Sequence, residues 1–148
     1  MDGEGVLGVR ADAVDIGSLP RAELPAEEAD GRIETLNKMG SATKDLSWVS
    51  QEFVAFAAQS VLPVLDGGAA FGAATVAALE QGASVVANDV CQGHLDFIVA
   101  SAASAVGAAA LSRLYVKGGA LPDGVVFPPD SLGAVHLSRV MHFFAPEE

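Results

Sequence analysis

The stretch most capable of chemistry is Val64-Leu65-Asp66-Gly67-Gly68-Ala69-Ala70-Phe71-Gly72, where an acid ends an apolar run and residues nearly devoid of side chains follow. Small residues at 67–70 and at 72 let a ligand approach the main chain closely. Asp89 comes 23 residues after Asp66, at the end of a second apolar run. That spacing predicts a second carboxylate at the tip of a neighbouring strand, where it can accept hydrogen bonds from two vicinal ribose hydroxyls. The constellation suits an adenosine-containing ligand.

The spacing Gly67-x-Ala69-x-x-Gly72 can also be laid on the dinucleotide-binding fingerprint, so the glycines do not choose between ligands. Asp66 does. A carboxylate at the mouth of the bend repels a pyrophosphate, but directly or through water it favours the ammonium of a methionine-type ligand. The sign of the charge favours S-adenosylmethionine over NAD.

These residues need a strand, a turn, a helix and a second strand to hold them. Residues 61–66 form an apolar run closed by an acid and Gly67-Gly68, the pattern of a strand buried on both faces, with Pro63 at its start. Residues 73–81 are rich in helix formers and stop at Gly82, a suitable left-handed C-terminal cap. Residues 83–89 read as the second strand, and 61–89 has the length of one βαβ unit with parallel strands and a right-handed crossover.

Upstream, residues 47–60 predict a helix with Ser47 as N-cap and Val49, Phe53, Phe56 and Ala57 on one face. Downstream come a weakly amphipathic helix at 93–105, a third strand at 111–117, a loop at 118–130 containing Pro122, Pro128 and Pro129, and a fourth strand at 133–138. Alternating strands and helices with short connections predict an α/β, Rossmann-like open parallel sheet with helices on both faces.

Outside this constellation, His142 follows the fourth strand and is the candidate general base, its alternative being packing beside Phe143 and Phe144. His94 and His136 have no histidine or carboxylate at ligand spacing, so no metal site is expected. Trp48 and Phe53 are expected in the core or a lid, and Cys91 in packing.

With 148 residues and a net charge of −11, the chain suits a single core. Eight acids against Arg10 and Arg21 give residues 1–30 a balance of −6, and their Gly, Pro and acids carry no sustained apolar period. We read residues 1–40 as an acidic tail or loosely docked arm and residues 41–148 as the folded domain. The acidity disfavours nucleic acid as a partner. One cysteine precludes an internal disulfide, and no signal pattern or apolar run of spanning length is present, so a cytoplasmic location away from membranes is expected.

The blocks VLDGGAAFG and VVANDV resemble motif I and the following acid of class I S-adenosylmethionine-dependent methyltransferases, and DSLGAVHLSRVMHFF is similar to their fourth strand and the segment after it. ATKDLSWVSQEFVAFAA resembles the helix that precedes their first strand, so the likeness covers residues 40–148. The resemblance implies that Asp66, Gly68, Ala70 and Gly72 line the methionine end and Asp89 the ribose, with Gly67, Val90, Gly119, Ala120 and Ser138 completing the cofactor set. It implies methyl transfer to a small-molecule acceptor. Two positions depart from the family pattern: Ala70 stands where many relatives have glycine, and Gly119 where an acid often contacts adenine.

The family normally continues through three more strands, so the resemblance also implies a domain truncated after its fourth strand. That strand would lie at an open edge available for homodimerisation. Two alternatives stay open: a non-catalytic nucleotide-binding or assembly module, and an NAD-dependent oxidoreductase.

Overall fold

A run of apolar residues becomes an interior strand only where neighbours cover both of its faces. The run beginning at Val61 does so late: Val61 and Leu62 are exposed, Pro63 follows, and β4 occupies Val64–Gly67 with every residue buried. The computed structural model describes residues 7–138 and 140. Before β4 lie β1 (Val9–Arg10), β2 (Ile33–Glu34), β3 (Ser41–Ala42) and helix α1 (Trp48–Ala57). After it come α2 (Ala73–Glu80), β5 (Val85–Asp89), α3 (Gln92–Ala105), β6 (Leu114–Gly118) and β7 (Ala134–Leu137).

The main sheet has the order β1-β6-β5-β4-β7, and β2 pairs with β3 in a separate two-stranded hairpin. β4 is parallel to β5 and β7, and β5 to β6, which provides the expected parallel sheet. The strand β1 is the exception, pairing antiparallel with β6, so the sheet is mixed. The chain steps from β4 to β5 to β6 on one side and then returns to β7 on the other. This places the reversal of strand order between β4 and β7, where open α/β sheets form a crevice beyond the strand ends.

Strand alternation explains where the core sits. Val64, Val85, Ala87 and Leu114 pack with Phe53, Ala57, Ala74, Ala78, Leu79, Leu95, Ile98 and Ala102, so α1, α2 and α3 share one face of the sheet. Helices on both faces were expected; among the described residues the opposite face receives loop 119–130 instead, with Leu121 against Gly67 and the Phe127 ring beneath Lys117 Nζ. The alanine-rich interior lets the helices sit close to the strands.

Several boundaries follow local rules. Ser47 Oγ accepts from Ser50 N–H at 3.2 Å and starts α1. Of its expected face Phe53 and Ala57 are buried, but Val49 and Phe56 are exposed and Ser50 is buried instead, so the helix is turned toward Ser50. Trp48, expected in core or lid packing, is 75% exposed.

The acidic N-terminal segment is built into the fold, contrary to its reading as a tail or loosely docked arm. It supplies the edge strand β1, and Ala11 and Ile33 are fully buried. The hairpin β2–β3 crosses the expected domain boundary at residue 41. Main-chain pairing achieves this without the apolar periodicity that would have announced it.

Candidate functional site

The bend after β4 is shaped by alternating backbone handedness. Gly68, Ala70 and Gly72 have φ of +61°, +50° and +76°. A Cβ on Gly68 would collide with Val140, and one on Gly72 would lie 2.6 Å from Ile98 Cγ1. Glycine therefore fits these two positions for reasons of both conformation and space. Ala70 holds the same left-handed conformation with a side chain, at a cost of about 1–2 kcal/mol.

The β5 terminus fastens this bend. Asn88 Oδ1 accepts from Gly68 N–H at 3.3 Å, and Asn88 O from Ala69 N–H at 2.8 Å. Its Nδ2 donates to the carbonyls of Lys117 and Gly119, at 2.9 and 3.0 Å, which ties the bend to the end of β6. Asp89 Oδ2 accepts from Ala70 N–H at 2.9 Å.

Asp89 Oδ1 accepts from Cys91 N–H at 2.9 Å and pairs with His94 Nδ1 at 3.0 Å. Burial pushes the Asp89 carboxyl upward, but the bonds from His94, Cys91 and Ala70 outweigh it and hold the group below its ordinary value of 3.8. A carboxylate oxygen accepts about two hydrogen bonds, so Oδ1 is saturated while Oδ2 retains one acceptor position. Of the two oxygens that the sequence reading assigned to a ribose diol, only Oδ2 keeps an acceptor position.

Asp66 is also paired. Its Oδ2 accepts from Thr75 Oγ1 on α2 at 2.7 Å, and its Oδ1 meets His136 Nδ1 at 2.9 Å. Asp66 and His136 are register partners on β4 and β7. The other ring nitrogen, Nε2, lies 2.9 Å from Ser50 Oγ on α1, and Phe53 stacks on the imidazole with centroids 4.6 Å apart.

Both carboxylates open onto one cavity of about 560 Å3, large enough for a cofactor-sized ligand. Asp66, Gly68, Ala70, Gly72, Asp89, Val90, Gly119, Ala120 and Ser138 all line it. Gly67 does not, because strand alternation turns it to the other face, where a Cβ would lie 2.7 Å from both Leu121 and Leu137. His142 lies outside the described residues.

Sequence reasoning missed Ser50, Asn88, His94 and His136 on the cavity wall, Thr75 behind Asp66, and the wall formed by Thr35, Asn37 and residues 39–43 of the hairpin region. His94 carried a readable signal, since five residues beyond Asp89 is the first turn of the next helix. His136 acquires its carboxylate from strand register, which no local spacing reveals. No protein-family model, curated protein or solved structure matches the chain.

Proposed function

We propose that this protein binds S-adenosylmethionine in the cavity beyond β4 and β5 and transfers its methyl group to a small molecule. The reading is carried by Asp66 and Asp89 standing at adjacent strand tips and flanking a bend poor in side chains, with all three lining one cavity. When bound, the cofactor supplies a methyl group already activated by its sulfonium, so the protein's task is alignment more than acid–base chemistry.

The chain offers complementary groups for each end of such a ligand. Asp66 is 3% exposed, and each of its oxygens keeps an acceptor position beyond its Thr75 or His136 bond. Its negative charge favours an ammonium and opposes a pyrophosphate. Asp89 Oδ2 can take one ribose hydroxyl. Gly119, Ala120 and Val90 line the cavity as backbone and apolar surface suited to an adenine.

Isothermal titration with S-adenosylhomocysteine tests the proposal, with NADH as comparator. Heat from S-adenosylhomocysteine, none from NADH, and loss of binding in a folded Asp89→Ala variant are expected. Equal heats from wild type and variant would remove the ribose assignment. NADH binding alone would promote the oxidoreductase reading, and S-adenosylhomocysteine binding without methyl transfer to any tested acceptor would promote the binding module.

A further inference from the structure

We infer that Ser50 is an activated nucleophile able to cleave small, uncharged acyl esters, with His136 as its general base and Asp66 as the group that orients the base. The inference does not require the cofactor to bind, although both readings use Asp66 and the same cavity. It rests on three side chains from α1, β7 and β4 meeting in an unbroken hydrogen-bonded series on the cavity wall.

The direction of each bond follows from what each group can donate. The Asp66 carboxylate only accepts, so Thr75 Oγ1 donates to one oxygen and His136 Nδ1–H to the other. A neutral His136 then presents the lone pair of Nε2, and the Ser50 hydroxyl, 2.9 Å away, donates to it. Ser47 Oγ lies 3.1 Å from Ser50 Oγ and donates to it, which supports negative charge developing there. This is the ordering that lets a serine lose its proton as it attacks.

Placement supports reactivity. Ser50 is 5% exposed but borders the cavity, as do His136 and Asp66. It sits in the first turn of the ten-residue helix α1, where the helix dipole favours an alkoxide. Ala73 and Ala74, in the first turn of α2, line the same cavity. First-turn N–H groups have no intrahelical acceptor, which makes these two the candidate donors to an oxyanion. The cavity also bears Asp45 and Asp89, so an anionic ester is disfavoured.

The second buried pair supplies an internal contrast. His94 Nδ1 meets Asp89 in the same manner, but its Nε2 accepts the main-chain N–H of Leu36 at 3.0 Å and has no hydroxyl to activate. Of the two histidine–carboxylate pairs among the described residues, one is closed by backbone and the other ends on a potential nucleophile.

In the reaction, Ser50 Oγ bonds to the ester carbonyl carbon as its proton passes to His136 Nε2. The carbon–oxygen bond to the leaving group then breaks, and the departing alcohol takes that proton, leaving acyl-Ser50. Water attacks the acyl carbon and gives a proton to His136. The Ser50–acyl bond breaks, Ser50 recovers the proton, and the carboxylic acid departs. The sum is ester plus water to acid plus alcohol.

The test combines p-nitrophenyl acetate turnover with a fluorophosphonate probe whose attachment site is mapped by mass spectrometry on the intact wild-type protein. Modification of Ser50 is expected, with labelling absent in Ser50→Ala and both rates lowered at least about hundredfold in Asp66→Asn and His136→Gln. Circular dichroism establishes that each variant is folded. An unlabelled wild type, a label on Ser47 or elsewhere, or unchanged turnover in folded Ser50→Ala overturns the inference. Mapping the wild type decides the matter even if a variant fails to fold.

Discussion

Leu36 and His94, 58 residues apart in sequence, are joined by a 3.0 Å hydrogen bond from the main-chain N–H of one to the imidazole Nε2 of the other. Because Nδ1 of the same ring meets Asp89, this single side chain connects the hairpin segment over the cavity to the tip of β5. The hairpin segment and the Asp89 carboxylate are therefore tied through one imidazole.

His94→Phe should release this latch while keeping an aromatic ring beside Phe71, which His94 meets edge to face at 5.1 Å. Loss of the bond, worth about 1 kcal/mol, should open the hairpin about fivefold more often. Limited trypsin digestion reads the change at exposed Lys38, with the partly buried Arg113 reporting global unfolding. Cleavage at Lys38 no faster than in wild type would show that the latch does not hold the hairpin.

Acid should weaken the fold through Asp89. Its carboxyl is held below its ordinary 3.8 in the folded protein, so the unfolded chain binds the proton more readily. The contribution is complete above that ordinary value and disappears as pH falls through the lower, folded one. Urea unfolding followed from about pH 6 to about pH 2 should show this loss, and Asp89→Asn should flatten the curve. Identical slopes for the two proteins would contradict the assignment.

Position 70 provides a backbone test. At φ +50°, alanine is strained, and glycine relieves about 1–2 kcal/mol while adding about 0.5–1 kcal/mol of unfolded-state entropy. Ala70→Gly should be neutral to about 1 kcal/mol stabilising. A β-branched residue tolerates this region poorly, so Ala70→Val should cost at least about 1 kcal/mol. Chemical denaturation of the two variants compares them, and equal stability would remove the conformational argument.

Arg113 Nη1 donates to the carbonyls of Leu79 and Ala83, at 3.1 and 2.7 Å, closing the C-terminal end of α2. Arg113→Met keeps apolar bulk and removes both bonds, so a loss of about 1–2 kcal/mol is expected in thermal unfolding. No change would mean that water replaces the guanidinium without cost.

The parts of the fold legible in sequence were those encoded over a long enough window. The strand that carries Asp66, the helix that ends shortly before Gly82 and the strand ending at Asp89 each combine an apolar run with a punctuating residue. By contrast, β1, β2 and β3 are two residues each, and their main-chain pairing leaves no side-chain period. The rotation of α1 was hidden because buried Ser50 faces His136 and so appears polar in any hydrophobic pattern. The Asp66–His136 pair was hidden more deeply, since a one-residue slip between β4 and β7 would point His136 to the other face.

The antiparallel strand at the sheet edge has a consequence for the order of assembly. Val9 pairs with Val116, so β1 must wait for β6 to be synthesised before it can join the sheet. Until then the outer side of the nascent α/β unit remains open, and its closure carries the entropy of a long loop. Of the strands in this sheet, the one made first is thus among the last to join it.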